Sequence, residues 1–184
     1  MKTFTVPNML TFLRILGMPV FILAFITGHI TAATVIFIIA ILTDIFDGAI
    51  ARMNKSRTVL GSILDPLADK LLVDIAFLLL AGKGLMPYWL VTIIISKDVI
   101  LVLGWLIVYI VTVNIKVEPS VFGKFANFFE SFLVIILMIT LAYPSKSETL
   151  DFLPFLISGT MYATAAIAGF ALIDYVLKGI KRLG

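Results

Sequence analysis

The sequence predicts an all-α fold, a polytopic membrane protein built as a bundle of six transmembrane helices after a short N-terminal amphipathic segment. Hydrophobic residues make up 61% of the chain and its mean hydropathy is +1.16, far above the apolar share of a soluble domain. A spanning helix needs about 20 apolar residues. Six segments meet this requirement: residues 9–28, 32–52, 61–81, 87–111, 120–142 and 153–177.

Residues that favour turns separate the six segments. These breaks fall at Gly28-His29, Lys55-Ser56-Arg57, Gly82-Lys83-Gly84, Glu118-Pro119 and Pro144. Residues 1–8 are too short to span, and we expect them to lie at the membrane interface as the amphipathic segment. Because no repeat and no long polar stretch interrupts the pattern, residues 1–184 are predicted to form a single domain.

Basic residues predict the orientation in the membrane. Six spans place both termini on one side, and that side carries eight basic residues in its termini and loops: Lys2, Arg52, Lys55, Arg57, Lys116, Lys178, Lys181 and Arg182. The opposite loops carry only Lys83 and Lys146. The positive-inside rule therefore places both termini, and the loop after the second span, in the cytoplasm. We expect an integral protein of a bacterial cell membrane.

Charge and cysteine content exclude several classes of site and partner. The chain has no Cys, which removes disulfides, thiolate catalysis and Cys-based metal sites. Its net charge of +3 is small. This charge suits contact with membrane lipids and gives no support to a nucleic-acid polymer as a partner.

Four carboxylates interrupt the second and third apolar spans. Asp44 and Asp47 are three residues apart, Asp65 and Asp69 are four apart, and both pairs lie near the predicted cytoplasmic ends. An ionised carboxylate within a membrane costs on the order of 2.5–3.5 kcal/mol, and four together also repel one another. Two Mg²⁺ or Mn²⁺ ions would offset both effects and could bridge the acids to a pyrophosphate.

Nearby residues favour a phosphate ligand at these acids, although one alternative stays open. Gly48 and Gly61 would allow a bulky ligand close to the backbone, and Arg52 is placed to contact a phosphate. The alternative is that the acids form interfacial ion pairs with neighbouring cations, namely Arg52, Lys55, Arg57 and Lys70.

The acidic stretch carries a recognisable motif. Its pattern D-x-x-D-G-x-x-A-R, eight residues, then G-x-x-x-D-x-x-x-D resembles the signature of the CDP-alcohol phosphotransferases, with every fixed position present. The opening from Pro7 to Arg14 is similar to that of phosphatidyl-transferring members of the family. The resemblance implies a two-metal enzyme that acts as a homodimer.

The resemblance also implies the roles of the acids. Asp44, Asp47 and Asp65 would hold one Mg²⁺ or Mn²⁺ ion, and Asp44, Asp65 and Asp69 would hold the second. Asp69 would in addition be the general base that removes the proton of the acceptor hydroxyl.

The same resemblance implies the donor and the reaction. Gly48, Arg52 and Gly61 would surround the CMP and pyrophosphate of CDP-diacylglycerol. A small or lipid alcohol would attack the β-phosphorus and release CMP. The favoured acceptor is glycerol 3-phosphate, giving phosphatidylglycerophosphate, and the alternative is phosphatidylglycerol, giving cardiolipin.

Basic residues in or near the spans are the candidates for binding the acceptor: Arg14, Lys97 and Lys124. Lys97-Asp98 stands where phosphatidylglycerophosphate synthases usually have Arg-Glu, and resembles cardiolipin synthases instead. Each candidate has a structural alternative. Lys97 could pair with Asp98 or Asp174, and Arg14 could reach lipid headgroups. A structural role explains Lys124 less well, because its charge near a helix start opposes the helix dipole. Glu130, which is not one of these candidates, either bonds across the bundle or faces the site.

A divalent-cation transporter is the rival class. A transporter should carry ionisable groups along a route to the far side of the membrane. The acids crowd the cytoplasmic ends of the second and third spans, whose outer halves carry none. This distribution favours an enzyme.

Overall fold

The computed structural model describes residues 6–54, 59–112, 121–144 and 151–183. Regular structure in these ranges is entirely helical and comprises six helices: α1 (Val6–Ile26), α2 (Ile30–Asn54), α3 (Val59–Gly82), α4 (Tyr88–Thr112), α5 (Val121–Ala142) and α6 (Leu153–Leu183). The prediction of an all-α chain with six helices is confirmed for the described residues. Residues 1–5, the first part of the predicted amphipathic segment, lie outside them.

The N-terminal helix begins earlier than the sequence predicts. Pro7 and Asn8, assigned above to the interfacial segment, belong to α1 itself. Pro7 is the second residue of the helix, where a missing backbone N–H breaks no intrahelical bond and the fixed φ of proline suits a helix. Helix α1 therefore includes residues 6–8 as well as the apolar segment that the sequence predicted.

Glycines in the left-handed conformation end α1 and α3. Gly28 has a φ of 84° and Gly84 a φ of 74°, values that residues with a Cβ rarely adopt. After α3, the amide of Leu85 donates to the carbonyl of Leu80 at 3.1 Å. This bond and the accompanying one at Gly84 form a Schellman motif, and α1 ends in the same way. The chain reverses at the two turns that the glycines predicted.

Buried apolar side chains from α1 to α5 fill one half of the bundle. Phe21 lies at the centre of this core, with ring centroids 5.7 Å from Phe37 and 6.3 Å from Phe25. The other main members are Met18, Ala33, Leu72, Ala76, Phe77, Leu80, Leu90, Ile94, Leu133, Val134, Leu137 and Met138. α6 adds a face of small buried residues, Thr160, Thr164, Ala168 and Ala171, which allows close packing against α4 and α5.

The buried face of several helices changes from apolar to charged along its length. In α1 and α5 the charged residue comes first, at Arg14 and Glu130, and the apolar core residues follow. In α4 the order is reversed, and Lys97 and Asp98 follow the apolar residues. Because α4 runs in the opposite sense to these helices, its charged residues meet theirs in one half of the bundle.

Large apolar side chains also cover the outer surface. Every helix exposes some of them; Phe155 is 83% exposed, Phe128 63% and Leu23 59%. Among the described residues, two helical segments are long and apolar enough to cross a membrane, Phe122–Ala142 and Leu153–Lys178. An apolar exterior of this extent is unusual for a soluble monomer.

The core predicts a difference between two Phe→Ala substitutions. Phe21→Ala empties a fully buried site and should lower the free energy of unfolding by about 3–5 kcal/mol. Phe155→Ala removes the same atoms from an exposed site and should change it by much less. Thermal unfolding of the detergent-purified protein measures both; equal losses would contradict the described core.

Candidate active site

The signature acids lie on two continuous helices. Asp44 and Asp47 belong to α2, and Asp65 and Asp69 belong to α3. Helical geometry puts the two positions of each pair on one side of their helix, an arrangement that fits a shared oxygen-ligated metal. The side chains of these acids, and of the predicted donor-binding residues Gly48, Arg52 and Gly61, lie outside the described residues. Their assigned roles stay predictions.

A cavity of about 220 Å³ lies between α1, α2, α3, α4 and α5. Its polar lining consists of Arg14, Lys70, Asp98, Asn127, Glu130 and Ser131. Ala40 and Val73 are part of its apolar lining. Asp44 is four residues after Ala40 on α2, and Asp69 is four residues before Val73 on α3. The cavity therefore lies about one helical turn, ~5.4 Å along the axis, from an acid position on each helix.

Charged side chains from three helices meet beside this cavity. Nζ of Lys97 lies 2.5 Å from Oε1 of Glu130 and 3.3 Å from Oδ1 of Asp98. The same Asp98 oxygen contacts Nζ of Lys70, which also lies 3.5 Å from Oδ1 of Asn127. Lys97, Asp98 and Glu130 are at most 4% exposed. We refer to Lys70, Lys97, Asp98 and Glu130 as the ion cluster.

The ion cluster is electrically balanced when its members are ionised. Two lysines face two carboxylates, so the formal charges cancel. Compensation is required because a buried charge that loses its partner destabilises a protein by roughly 3–5 kcal/mol. The cluster joins α3 and α5 to α4 at one depth of the bundle. Arg14 adds one positive charge at the cavity wall.

The structure separates the three predicted acceptor-binding cations. Arg14 is 5% exposed and lines the cavity. Lys97 is held by Glu130 and Asp98, while Asp174, its other suggested partner, pairs with Lys178 at 2.7 Å. Lys124 is exposed in the first turn of α5. Only Arg14 of the three is placed at the cavity, and the binding roles of all three stay predictions.

Sequence reasoning missed several residues of the cavity wall. The sequence suggests Lys70 only as a partner for the signature acids, whereas in the structure it pairs with Asp98. Asn127 and Ser131, which are not among the predicted site residues, share the cavity face of α5 with Glu130. Glu130 both bonds across the bundle and lines the cavity. One sequence signal could have located Lys70 and Glu130. Ionisable residues are rare in apolar helices and face the interior of the bundle.

A close contact joins the start of α5 to the end of α6. Gly123 lies against the ring of Tyr175, and a Cβ at Gly123 would lie only 2.9 Å from Cζ of that ring. The small residue therefore permits the two helices to approach. The contact fixes the turn of α5 that carries Lys124.

These features define a class of protein, a helical bundle with carboxylate pairs on two apolar helices and, near them, a cavity whose mainly apolar wall carries several charged residues. The chain belongs to the CDP-alcohol phosphatidyltransferase family, because residues 4–173 match the model of that family. The match runs from before α1 into α6. It confirms the resemblance drawn from the signature.

Relatives carry two kinds of name. The chain is 30% identical, over 96% of its length, to a probable phosphatidylglycerophosphate synthase of Mycobacterium tuberculosis H37Rv, of which it spans 82%. It is 26% identical, over 97% of its length, to the CDP-diacylglycerol--glycerol-3-phosphate 3-phosphatidyltransferase of Aquifex aeolicus, of which it spans 97%. It is 40% identical, over 67% of its length, to the cardiolipin synthase (CMP-forming) of Homo sapiens, but spans only 40% of that protein.

The contact between α5 and α6 predicts a substitution and its rescue. Gly123→Ala should lower the free energy of unfolding by about 1–3 kcal/mol, because the new methyl group meets the Tyr175 ring. Tyr175→Leu in the same chain should recover part of this loss by removing the hydroxyl and the far ring atoms.

Gly159, which lies on α6, supplies the control for this substitution. A Cβ at Gly159 meets no described atom within 4 Å, so Gly159→Ala should be neutral or slightly stabilising. Thermal unfolding compares the variants. A Gly123→Ala protein as stable as the Gly159→Ala protein would contradict the contact.

Proposed function

We propose that this protein transfers a phosphatidyl group from CDP-diacylglycerol to a glycerol-type acceptor and releases CMP. Family membership over residues 4–173 is the observation that carries the proposal. Glycerol 3-phosphate is the acceptor we favour, with phosphatidylglycerophosphate as the product, because relatives that align with nearly the whole chain bear the corresponding names.

We place this chemistry at the membrane. The apolar residues exposed on all six helices support contact with acyl chains, and the excess of basic residues supports cytoplasmic termini and a cytoplasmic active site. A donor lipid lying against the bundle would then present its nucleotide at the signature acids. The proposal includes a homodimer, which rests on resemblance to the family alone.

The chain's carboxylates would supply the acid–base chemistry. Asp69 would accept the proton of the acceptor hydroxyl while the acceptor oxygen bonds to the β-phosphorus of the donor. The bond from that phosphorus to the bridging oxygen breaks, and its electrons leave with CMP. Two Mg²⁺ or Mn²⁺ ions, held by Asp44, Asp47, Asp65 and Asp69, would neutralise the pyrophosphate and stabilise the leaving group.

Residues of the described cavity would orient the acceptor. The cavity lies about one helical turn from Asp44 and Asp69, so an alcohol seated in it would be near the proposed base. Asn127, Glu130 and Ser131 offer hydrogen-bonding groups for glycerol hydroxyls. Arg14 offers a cation for a phosphate oxygen.

One observation favours phosphatidylglycerol as a second candidate acceptor. The formal charges of the ion cluster cancel, and Arg14 adds one positive charge at the cavity wall. A phosphate monoester carries about −1.5 to −2 at neutral pH, whereas the phosphodiester of phosphatidylglycerol carries a single negative charge. One added positive charge suits the acceptor with a single negative charge, and the human relative is named for cardiolipin synthesis.

Replacement of the proposed base tests the function. Purified protein is supplied with CDP-diacylglycerol, Mg²⁺ or Mn²⁺, and one acceptor at a time: glycerol 3-phosphate, phosphatidylglycerol, inositol phosphate or serine. We expect CMP release with a glycerol-type acceptor, and the lipid product identifies which one. Asp69→Asn should abolish release because the amide cannot take the proton and is a weaker metal ligand.

A matched substitution on the same helix controls for the fold. Asp74→Asn makes the same chemical change five residues further along α3 and should keep turnover within about tenfold of wild type. Turnover by a folded Asp69→Asn protein would contradict the assigned base. Absence of CMP release by the wild-type protein with all four acceptors would contradict the proposed function.

A further inference from the structure

Asp98 occupies an unusual position in the ion cluster, because two lysines share one of its oxygens. Lys70 and Lys97 both approach Oδ1 of Asp98. Lys97 has a second carboxylate, Glu130, at 2.5 Å. Among the described residues, Asp98 is the carboxylate that forms an ion pair with Lys70.

Lys70 is the member of this pair that could meet an acceptor. Its side chain is 11% exposed and it lines the cavity, whereas the Lys97 side chain is 2% exposed. An ammonium group at the wall of such a cavity would attract a phosphate strongly, since hydrogen bonds between charged groups are stronger than neutral ones. The contact between Lys70 and Asp98 already neutralises the ammonium charge, and so weakens this attraction before an acceptor binds.

We propose that Asp98 is a specificity-determining residue, which limits the negative charge of the acceptor by neutralising Lys70 at the cavity wall. The inference rests on the proposed phosphatidyl transfer and adds which residue sets acceptor choice. A dianionic phosphate monoester must compete with Asp98 for Lys70. A phosphodiester or an uncharged glycerol group gains less from Lys70 and is penalised less by Asp98.

Asp98→Asn tests the proposal because the amide keeps the size of the side chain and removes its charge. The KM for glycerol 3-phosphate should fall on the order of tenfold, as expected for one additional lysine–phosphate contact. Where wild-type protein does not turn over this acceptor, its inhibition constant replaces the KM. The KM for phosphatidylglycerol should change by much less.

Two further variants separate the charge of Asp98 from a structural role. The double variant Lys70→Gln with Asp98→Asn restores the charge balance of the cluster. Its KM or inhibition constant for glycerol 3-phosphate should therefore return towards the wild-type value. Glu130→Gln leaves Asp98 as the carboxylate for Lys97, so that Asp98 neutralises Lys70 less. It should therefore lower the KM or inhibition constant for glycerol 3-phosphate, as Asp98→Asn does. It therefore provides the test if the Asp98→Asn protein does not fold.

Asp174→Asn is the matched control, because it makes the same change in an ion pair whose lysine is 53% exposed. Its KM or inhibition constants for glycerol 3-phosphate and phosphatidylglycerol should equal those of the wild-type protein. Folded Asp98→Asn and Glu130→Gln proteins with an unchanged constant for glycerol 3-phosphate would overturn the proposal, as would equal changes for both acceptors. These results are distinct from failure of the proposed function, in which the wild-type protein releases no CMP with either acceptor.

Discussion

Lys97, Asp98 and Glu130 lie in the interior of an apolar bundle, where an ionised side chain is stable only beside an opposite charge. The distances of 2.5 Å and 3.3 Å from Lys97 to the two carboxylates show this compensation directly. The charged partners come from α4 and α5, and Lys70 extends the cluster to α3. The need to place opposite charges together therefore sets how these three helices are aligned along their axes. The cavity wall follows from that alignment.

The apolar half of the bundle brings these charges together. Packing around Phe21 and Leu137 fixes the helices on one side of the interior, and the turns at Gly28 and Gly84 reverse the chain between helices. Charged segments of successive helices consequently meet in the other half, about one turn from Asp44 and Asp69. Lysines balance the carboxylates of α4 and α5, and we propose that metal ions balance those of α2 and α3.

The sequence predicted the fold more completely than the site. Apolar length and the turn residues Gly28 and Gly84 located the helices because both signals are local in the chain. The signature identified the family because its spacing is specific. The ion-pair partner of Lys97 was not predictable from the sequence, which allowed Asp98 or Asp174. Only the packing of both α4 and α5 against α3 and α6 brings Glu130 within 2.5 Å of Lys97. The role of Lys70 depended on the same packing.

Dependence of CMP release on a divalent cation tests whether the signature acids act through bound metal ions. Purified protein with CDP-diacylglycerol and its acceptor is assayed before chelation, after chelation, and after Mg²⁺ or Mn²⁺ is restored. We expect release to stop on chelation and to return with the metal, because the four signature carboxylates and a pyrophosphate need cations to come together. CMP release that continues at the same rate in the metal-free protein would contradict this expectation.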